Sequence, residues 1–183
     1  DPDKGGAVVW HNKVGRGGFL GGVHWGMSAN GESLFVPIAD TTITGRFTGP
    51  VSPGIHALEP TSGEVRWYTP SVADCDGKSP IPVCDPGMSA AITSTDQLVF
   101  AGSLDGNLNV YDSLSGEVLW SFDTFGDFES VSGDTALGGS IESDGPVLYK
   151  EHVLINSGYQ FGARMPGNAL MVFSLPPKAD LGR

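Results

Sequence analysis

Three near-copies of one phrase divide this chain. They are Asp1-Pro2-Asp3-Lys4-Gly5-Gly6-Ala7-Val8-Val9-Trp10, then Glu59-Pro60-Thr61-Ser62-Gly63-Glu64-Val65-Arg66-Trp67, then Asp112-Ser113-Leu114-Ser115-Gly116-Glu117-Val118-Leu119-Trp120. Each is an acidic or turn-forming stretch, a glycine, a short apolar strand and a terminal indole. The tryptophans fall 57 and 53 residues apart. Recurrence at such a period belongs to stacked or radial units, none of which buries its apolar face alone.

Strand and turn signals recur between the phrases. Gly87-Met88-Ser89-Ala90-Ala91-Ile92 runs to a polar turn at Ser94-Thr95-Asp96, then to Leu98-Val99-Phe100-Ala101-Gly102. Asp105-Gly106 makes the next turn, followed by Leu108–Asp112 and Val118–Phe122. Four short strands closed by Gly- or Asp-containing turns form one antiparallel blade. An earlier unit repeats the order, with a Thr-, Gly- and Pro-rich insertion from Ala39 to Gly54 expected as an exposed loop. With 27 glycines and 13 prolines in 183 residues, the composition favours many tight turns over helices.

The expected fold is therefore all-β: a partial β-propeller of about three four-stranded antiparallel blades with tryptophan-docking repeats, at approximately 23–68, 86–122 and 137–175. Three blades are too few to close a ring, and the chain opens on the last phrase of a blade. It reads as the C-terminal part of a larger propeller, with Trp10, Trp67 and Trp120 packed against the next sheet and their N–H groups bonded to backbone.

A formal net charge of −11 is the wrong sign for gripping nucleic-acid phosphates. No apolar run reaches the roughly 18 residues of a membrane helix. Cys75 and Cys84 are the only cysteines, with eight residues between them, in a spacing that fits no common zinc pattern. They are either a structural disulfide or two free thiols, and a disulfide points to an oxidising compartment such as a periplasm.

The docking phrase, together with Phe100-Ala101-Gly102-Ser103-Leu104-Asp105-Gly106, resembles the repeat of pyrroloquinoline-quinone (PQQ) dehydrogenases. Within that superfamily the chain is most similar to the polyvinyl-alcohol dehydrogenases. The supporting stretches are Gly21-Gly22-Val23-His24-Trp25-Gly26-Met27, Cys84-Asp85-Pro86-Gly87-Met88-Ser89-Ala90-Ala91, and Asn156-Ser157-Gly158-Tyr159 with Pro166-Gly167-Asn168. The resemblance implies an eight-bladed propeller that binds PQQ, usually with calcium, near its axis. It also implies periplasmic oxidation of an alcohol or polymer substrate, with electrons passed to a cytochrome c. No Cys-x-x-Cys-His motif occurs, so any haem belongs to another segment or a partner. The adjacent cysteine pair of methanol dehydrogenases is absent as well. The rival reading is a non-catalytic propeller scaffold of the outer-membrane assembly type, which uses the same docking phrases.

In a propeller the first strand of each blade lines the channel. Aligning the repeats sets Ser28, Ser89 and Ser140 at equivalent inner-strand starts, as a set of hydroxyls near one end of the axis or as ordinary strand-end polar residues. Trp25 offers a face for a flat quinone or a packing contact. PQQ's three carboxylates need cations or backbone donors. Arg16 and Arg164 are the candidates, unless both are solubilising surface residues. His24 is a quinone hydrogen-bond donor or a satisfied core histidine. Asp105 is a turn former. Asp134, Glu142 and Asp144 lie near an inner strand, where loop solvation explains them equally well. Neither the catalytic base nor a metal ligand can be named.

Overall fold

A computed structural model describes residues 1–20, 22–41, 47–81, 83–159 and 164–174. The middle of the Ala39–Gly54 insertion, residues 160–163 before Arg164, and the end of the third expected blade lie outside the described residues, as does Gly21.

The first sheet is β1 (Ser28–Ala29), β2 (Leu34–Ile38), β3 (Gly54–Leu58) and β4 (Val65–Pro70), in that spatial order and antiparallel throughout. The second repeats it with β5 (Thr93–Ser94), β6 (Leu98–Gly102), β7 (Asn107–Asp112) and β8 (Val118–Asp123). A hairpin follows, β9 (Gly126–Glu129) against β10 (Thr135–Gly138). The third sheet is β11 (Val147–Tyr149), β12 (His152–Ser157) and β13 (Ala169–Ser174). Among the described residues this sheet has three strands where four were expected, and the β9–β10 hairpin has no counterpart in the repeat.

Burial follows position in the sheet. All five residues of β3 are buried and four of five in both β2 and β6, because these central strands face neighbours on both sides. The outer strand β4 alternates, and β8 is largely exposed. The apolar core lies in the seams between sheets. Phe35, Ile55 and Ala57 of the first meet Met88, Val99 and Tyr111 of the second, and Leu108 of the second meets Ile141 and Ile155.

The tryptophan phrase locks one sheet to the next. Trp10 Nε1–H donates to Pro60 O at 2.9 Å, and Trp67 Nε1–H donates to Ser113 O at 3.1 Å. Both acceptors sit in the turn of the following phrase. The glycines of those turns, Gly63 and Gly116, have φ of +75° and +74°. A Cβ added to either would lie 2.5 Å from the docked indole. Glycine is required twice over, for a left-handed turn and for contact with a flat ring. Both sheets also shift register just before the phrase's tryptophan, between Ala57 and Leu58 and between Val110 and Tyr111. One extra residue in the outer strand there re-aims the indole.

Trp120 differs from the other two. It is 41% exposed and packs on Phe173, edge-on at 5.3 Å, and on Phe122 at 6.0 Å. Among the described residues no turn glycine covers it.

Cys75 and Cys84 form a disulfide, with Cα atoms 5.9 Å apart. The strap they close is fastened to the second sheet. Lys78 Nζ donates to Asp105 O at 2.9 Å and pairs with Asp123 at 3.0 Å, while Asp74 N donates to the Asp105 carboxylate. Asp105 also accepts from Ser103 Oγ and Asn107 N, so it shapes its turn and holds the strap. Closing so short a loop stabilises by about 2.5–3 kcal/mol through chain entropy. Reduction should therefore lower the Tm by about 5–10 °C, measured by calorimetry with and without a thiol reductant.

Candidate functional site

Ahead of each sheet's first strand runs a short irregular rim: residues 22–27, 85–91 and 139–145. Backbone hydrogen bonds stitch these rims side by side. Trp25 N donates to Ser89 O at 3.3 Å and Ala91 N to Ser143 O at 3.0 Å. Further bonds tie rims to sheets: Ala39 N to Gly22 O and Leu104 N to Gly87 O join a rim to its own sheet, and Met88 N to Ile38 O and Ile141 N to Ser103 O join a rim to the preceding one. The rim is rich in small residues because the backbones nearly touch. A Cβ on Gly145, for instance, would sit 2.6 Å from Ala91 O.

Each rim contributes one polar side chain to a single cluster. His24 Nδ1 and Ser89 Oγ are 2.8 Å apart, and Ser89 Oγ–H donates to Glu142 Oε1 at 2.9 Å. His24 Nδ1 lies 3.9 Å from the same carboxylate oxygen. Ser89 and Glu142 are fully buried, whereas the His24 side chain is 27% exposed. The second carboxylate oxygen, Oε2, is buried and has no hydrogen-bond partner.

Burial lifts the Glu142 carboxyl above its usual range, against opposing pulls from Ser89, the Arg164 charge and Trp25. The same cause lowers His24 below the ordinary imidazole value. The two groups are thus pushed toward one another in proton affinity. Trp25 stands next to the cluster with its indole 44% exposed and its ring centroid 4.8 Å from that of His24.

The residues singled out from sequence do not meet as one set. Ser89, Trp25 and Arg164 gather around Glu142. Ser28 lies apart, its hydroxyl 2.6 Å from Ser94 Oγ where β1 meets β5. Ser140 is turned to backbone work: its hydroxyl donates to Leu104 O at 2.5 Å and accepts from Met165 N at 3.1 Å, while its own N–H donates to Met165 O. That double tie carries the buried Arg164 to the Glu142 side of the rim.

The expected equivalence of the three serines is corrected by strand register. Ser28 pairs with Phe35, Thr93 with Phe100 and Val147 with Leu154. Ser28, Thr93 and Val147 are therefore the matching positions, and Ser89 precedes its match by four residues.

Arg16 is also elsewhere. Its guanidinium donates to Gly17 O and Thr41 O, and its N–H donates to Asp40, which also receives Gly17 N and Ser52 N. It closes the glycine-rich loop and has no bond to the cluster. Of the three acids for which sequence left loop solvation equally open, Glu142 is the buried centre, whereas Asp134 and Asp144 are exposed. Among the described residues no group of three or more His, Cys, Asp and Glu side chains is placed to hold a metal ion. Nor is any described helix long and apolar enough to cross a membrane.

Residues 1–160 match the PQQ_2 family model, described as outer membrane protein assembly factor BamB. The chain is 34% identical to a polyvinylalcohol dehydrogenase of Pseudomonas sp, across 97% of this chain and 28% of that protein. A second polyvinylalcohol dehydrogenase, from Sphingopyxis sp. (strain 113P3), is 30% identical over the same shares. The chain thus spans less than a third of the length of these relatives. In shape it is similar to quinohemoprotein alcohol dehydrogenase from Comamonas testosteroni, with a TM-score of 0.50 and 16% identity over 82% of this chain and 21% of that one.

Proposed function

Because this chain belongs to the PQQ-type propeller family, we propose that it is a segment of a quinoprotein alcohol dehydrogenase that oxidises hydroxyl groups. The observation that carries the reading is the exposed Trp25 indole at the edge of a buried, charged rim cluster. A flat aromatic face bordered by a buried arginine suits a planar, tricarboxylate quinone. The orphaned Glu142 Oε2 leaves one buried acceptor there to be satisfied by a ligand or substrate hydroxyl.

Bound PQQ supplies a two-electron oxidant for the alcohol carbon. Trp25 holds it by stacking, and Arg164 offsets its carboxylate charge. Ser140 positions Arg164 through Met165. Ser89 fixes His24 against Glu142. Ser28 fastens the first two sheets together at their inner strands. Calcium, which usually accompanies PQQ in such enzymes, finds no fitting group of carboxylates among the described residues, and no role is assigned to it. Electron transfer to a cytochrome c, a polymeric alcohol as substrate and a periplasmic location complete the proposal, the last in keeping with the Cys75–Cys84 disulfide.

Calorimetric titration of the full-length protein with PQQ, with and without calcium, tests this. Trp25→Ala should weaken binding about tenfold, as expected for a lost ring stack of roughly 1–1.5 kcal/mol. Absence of PQQ binding under both conditions would sink the reading. It would favour a protein-binding scaffold instead, the reading supported by the description of the matching family model. A scaffold would keep its partner affinity in Trp25→Ala.

A further inference from the structure

The three-residue cluster has an arrangement that cofactor binding does not require. His24, Ser89 and Glu142 come from three successive rims and meet in one unbranched chain of hydrogen bonds. One end is a fully buried carboxylate and the other a partly exposed imidazole. The serine between them is fully buried, and the carboxylate bonds to that serine. Such an order is unlike an acyl-transfer triad, in which an accessible serine attacks and the carboxylate orients the far ring nitrogen.

We propose that His24, Ser89 and Glu142 form a proton relay, in which a proton taken up at the buried carboxyl is delivered through the serine hydroxyl to the partly exposed imidazole. Its use in alcohol oxidation rests on the function proposed above. The relay itself needs only this chain.

Two states interconvert. In one, His24 Nδ1–H donates to Ser89 Oγ and Ser89 Oγ–H donates to an ionised Glu142. In the other, a protonated Glu142 donates from Oε1 to Ser89, whose proton points to a bare Nδ1. Shifting both hydrogens together moves one net proton between groups 3.9 Å apart, without separating charge through the protein. No heavy-atom bond is made or broken and no electron moves.

Burial favours the exchange by raising the carboxyl and lowering the imidazole, which narrows the gap between them. Arg164 faces Glu142 as the remaining charge and Trp25 as the remaining polar group. Oε2, buried without a partner, is the open inner terminus. During oxidation Oε2 takes the alcohol's hydroxyl proton, a half-turn of the carboxyl exchanges its two oxygens so that this proton faces Ser89, and the exposed edge of His24 passes a proton to water.

Ring nitrogen NMR on the full chain tests the relay without any cofactor. In the wild type, the His24 Nδ1 resonance should move in two steps with pH, one from its own titration and one from that of Glu142. The isosteric Glu142→Gln should remove the second step and lower the His24 midpoint by about one pH unit, the effect of a close carboxylate. Ser89→Ala should abolish slow exchange of the Nδ1 proton. Wild-type and Glu142→Gln curves that superimpose would overturn the relay.

In PQQ-loaded full-length enzyme, Glu142→Gln should cut kcat by about 100-fold, the usual scale of a lost general base, with PQQ affinity within about twofold. An unchanged kcat would overturn the relay's part in oxidation. Failure to bind PQQ alongside intact His24–Glu142 coupling would sink the proposed function and leave the relay standing.

Discussion

Replacing Trp67 by alanine should destabilise this protein by about 2–4 kcal/mol, somewhat below the usual cost of deleting a fully buried large aromatic because the ring is only partly buried. The indole packs on the core shared by the first two sheets, within 6.0 Å of Phe35, and donates to Ser113 O. Its loss opens a cavity and strands a carbonyl in the following turn. Trp120→Ala should cost less, about 1–2 kcal/mol, because that ring is 41% exposed. Gly116→Ala attacks the same lock from the other side, pairing a left-handed backbone with a Cβ 2.5 Å from the Trp67 ring. It should cost about 2–4 kcal/mol from backbone strain and overpacking together. Urea denaturation of the three variants ranks them, and equal losses for Trp67 and Trp120 would refute the docking account.

A second large effect is expected at Arg164. Replacing it by methionine keeps most of the volume but removes the positive charge that offsets Glu142. Stranding a buried carboxylate typically costs about 3–5 kcal/mol at neutral pH. The pH dependence identifies the cause. Burial already raises the Glu142 pKa above its ordinary 4.5, so this group's contribution to stability is complete below 4.5 and lost as pH rises through the folded value. Arg164→Met raises that value further. The gap from wild type should then be small near pH 4 and widen toward pH 7, and Arg164→Met/Glu142→Gln should close most of it. His24 acts at the other end of the range. Its lowered pKa means that its contribution is present above about 6.5 and lost as pH falls through the folded value. Urea midpoints across pH decide the matter, since a loss equal at all pH values would assign Arg164 a packing role only.

The docking lock was legible because it needs two unlike residues at a fixed interval, a left-handed glycine and a tryptophan, and three copies display both. Strands β2, β3, β6 and β7 were legible for a related reason, since apolar runs between glycine and aspartate turns have few other readings. The rims were harder. Gly, Ser and Ala carry no periodicity to fix a register, so Ser28 was matched with Ser89 when pairing matches it with Thr93. Ser140 could be read as a ligand residue or as an ordinary strand-end polar residue, and its hydroxyl bonds to Leu104 and Met165. Glu142 was left open for a deeper reason. Whether an acid is solvated or buried depends on what covers it, and its serine partner lies 53 residues earlier in the chain. Counting four residues back from β1, β5 and β11 gives His24, Ser89 and Ser143, so the count finds the first two members of the cluster and misses Glu142 by one residue.

The indole-over-glycine lock also gives assembly a direction in time. Trp10 finds its acceptor 50 residues later and Trp67 finds its own 46 residues later. As the polypeptide emerges from the ribosome, every finished sheet waits with a bare aromatic edge until the next turn has been synthesised. A pause in translation within either interval would prolong the display of that sticky edge, the circumstance in which chaperones engage and neighbouring nascent chains aggregate.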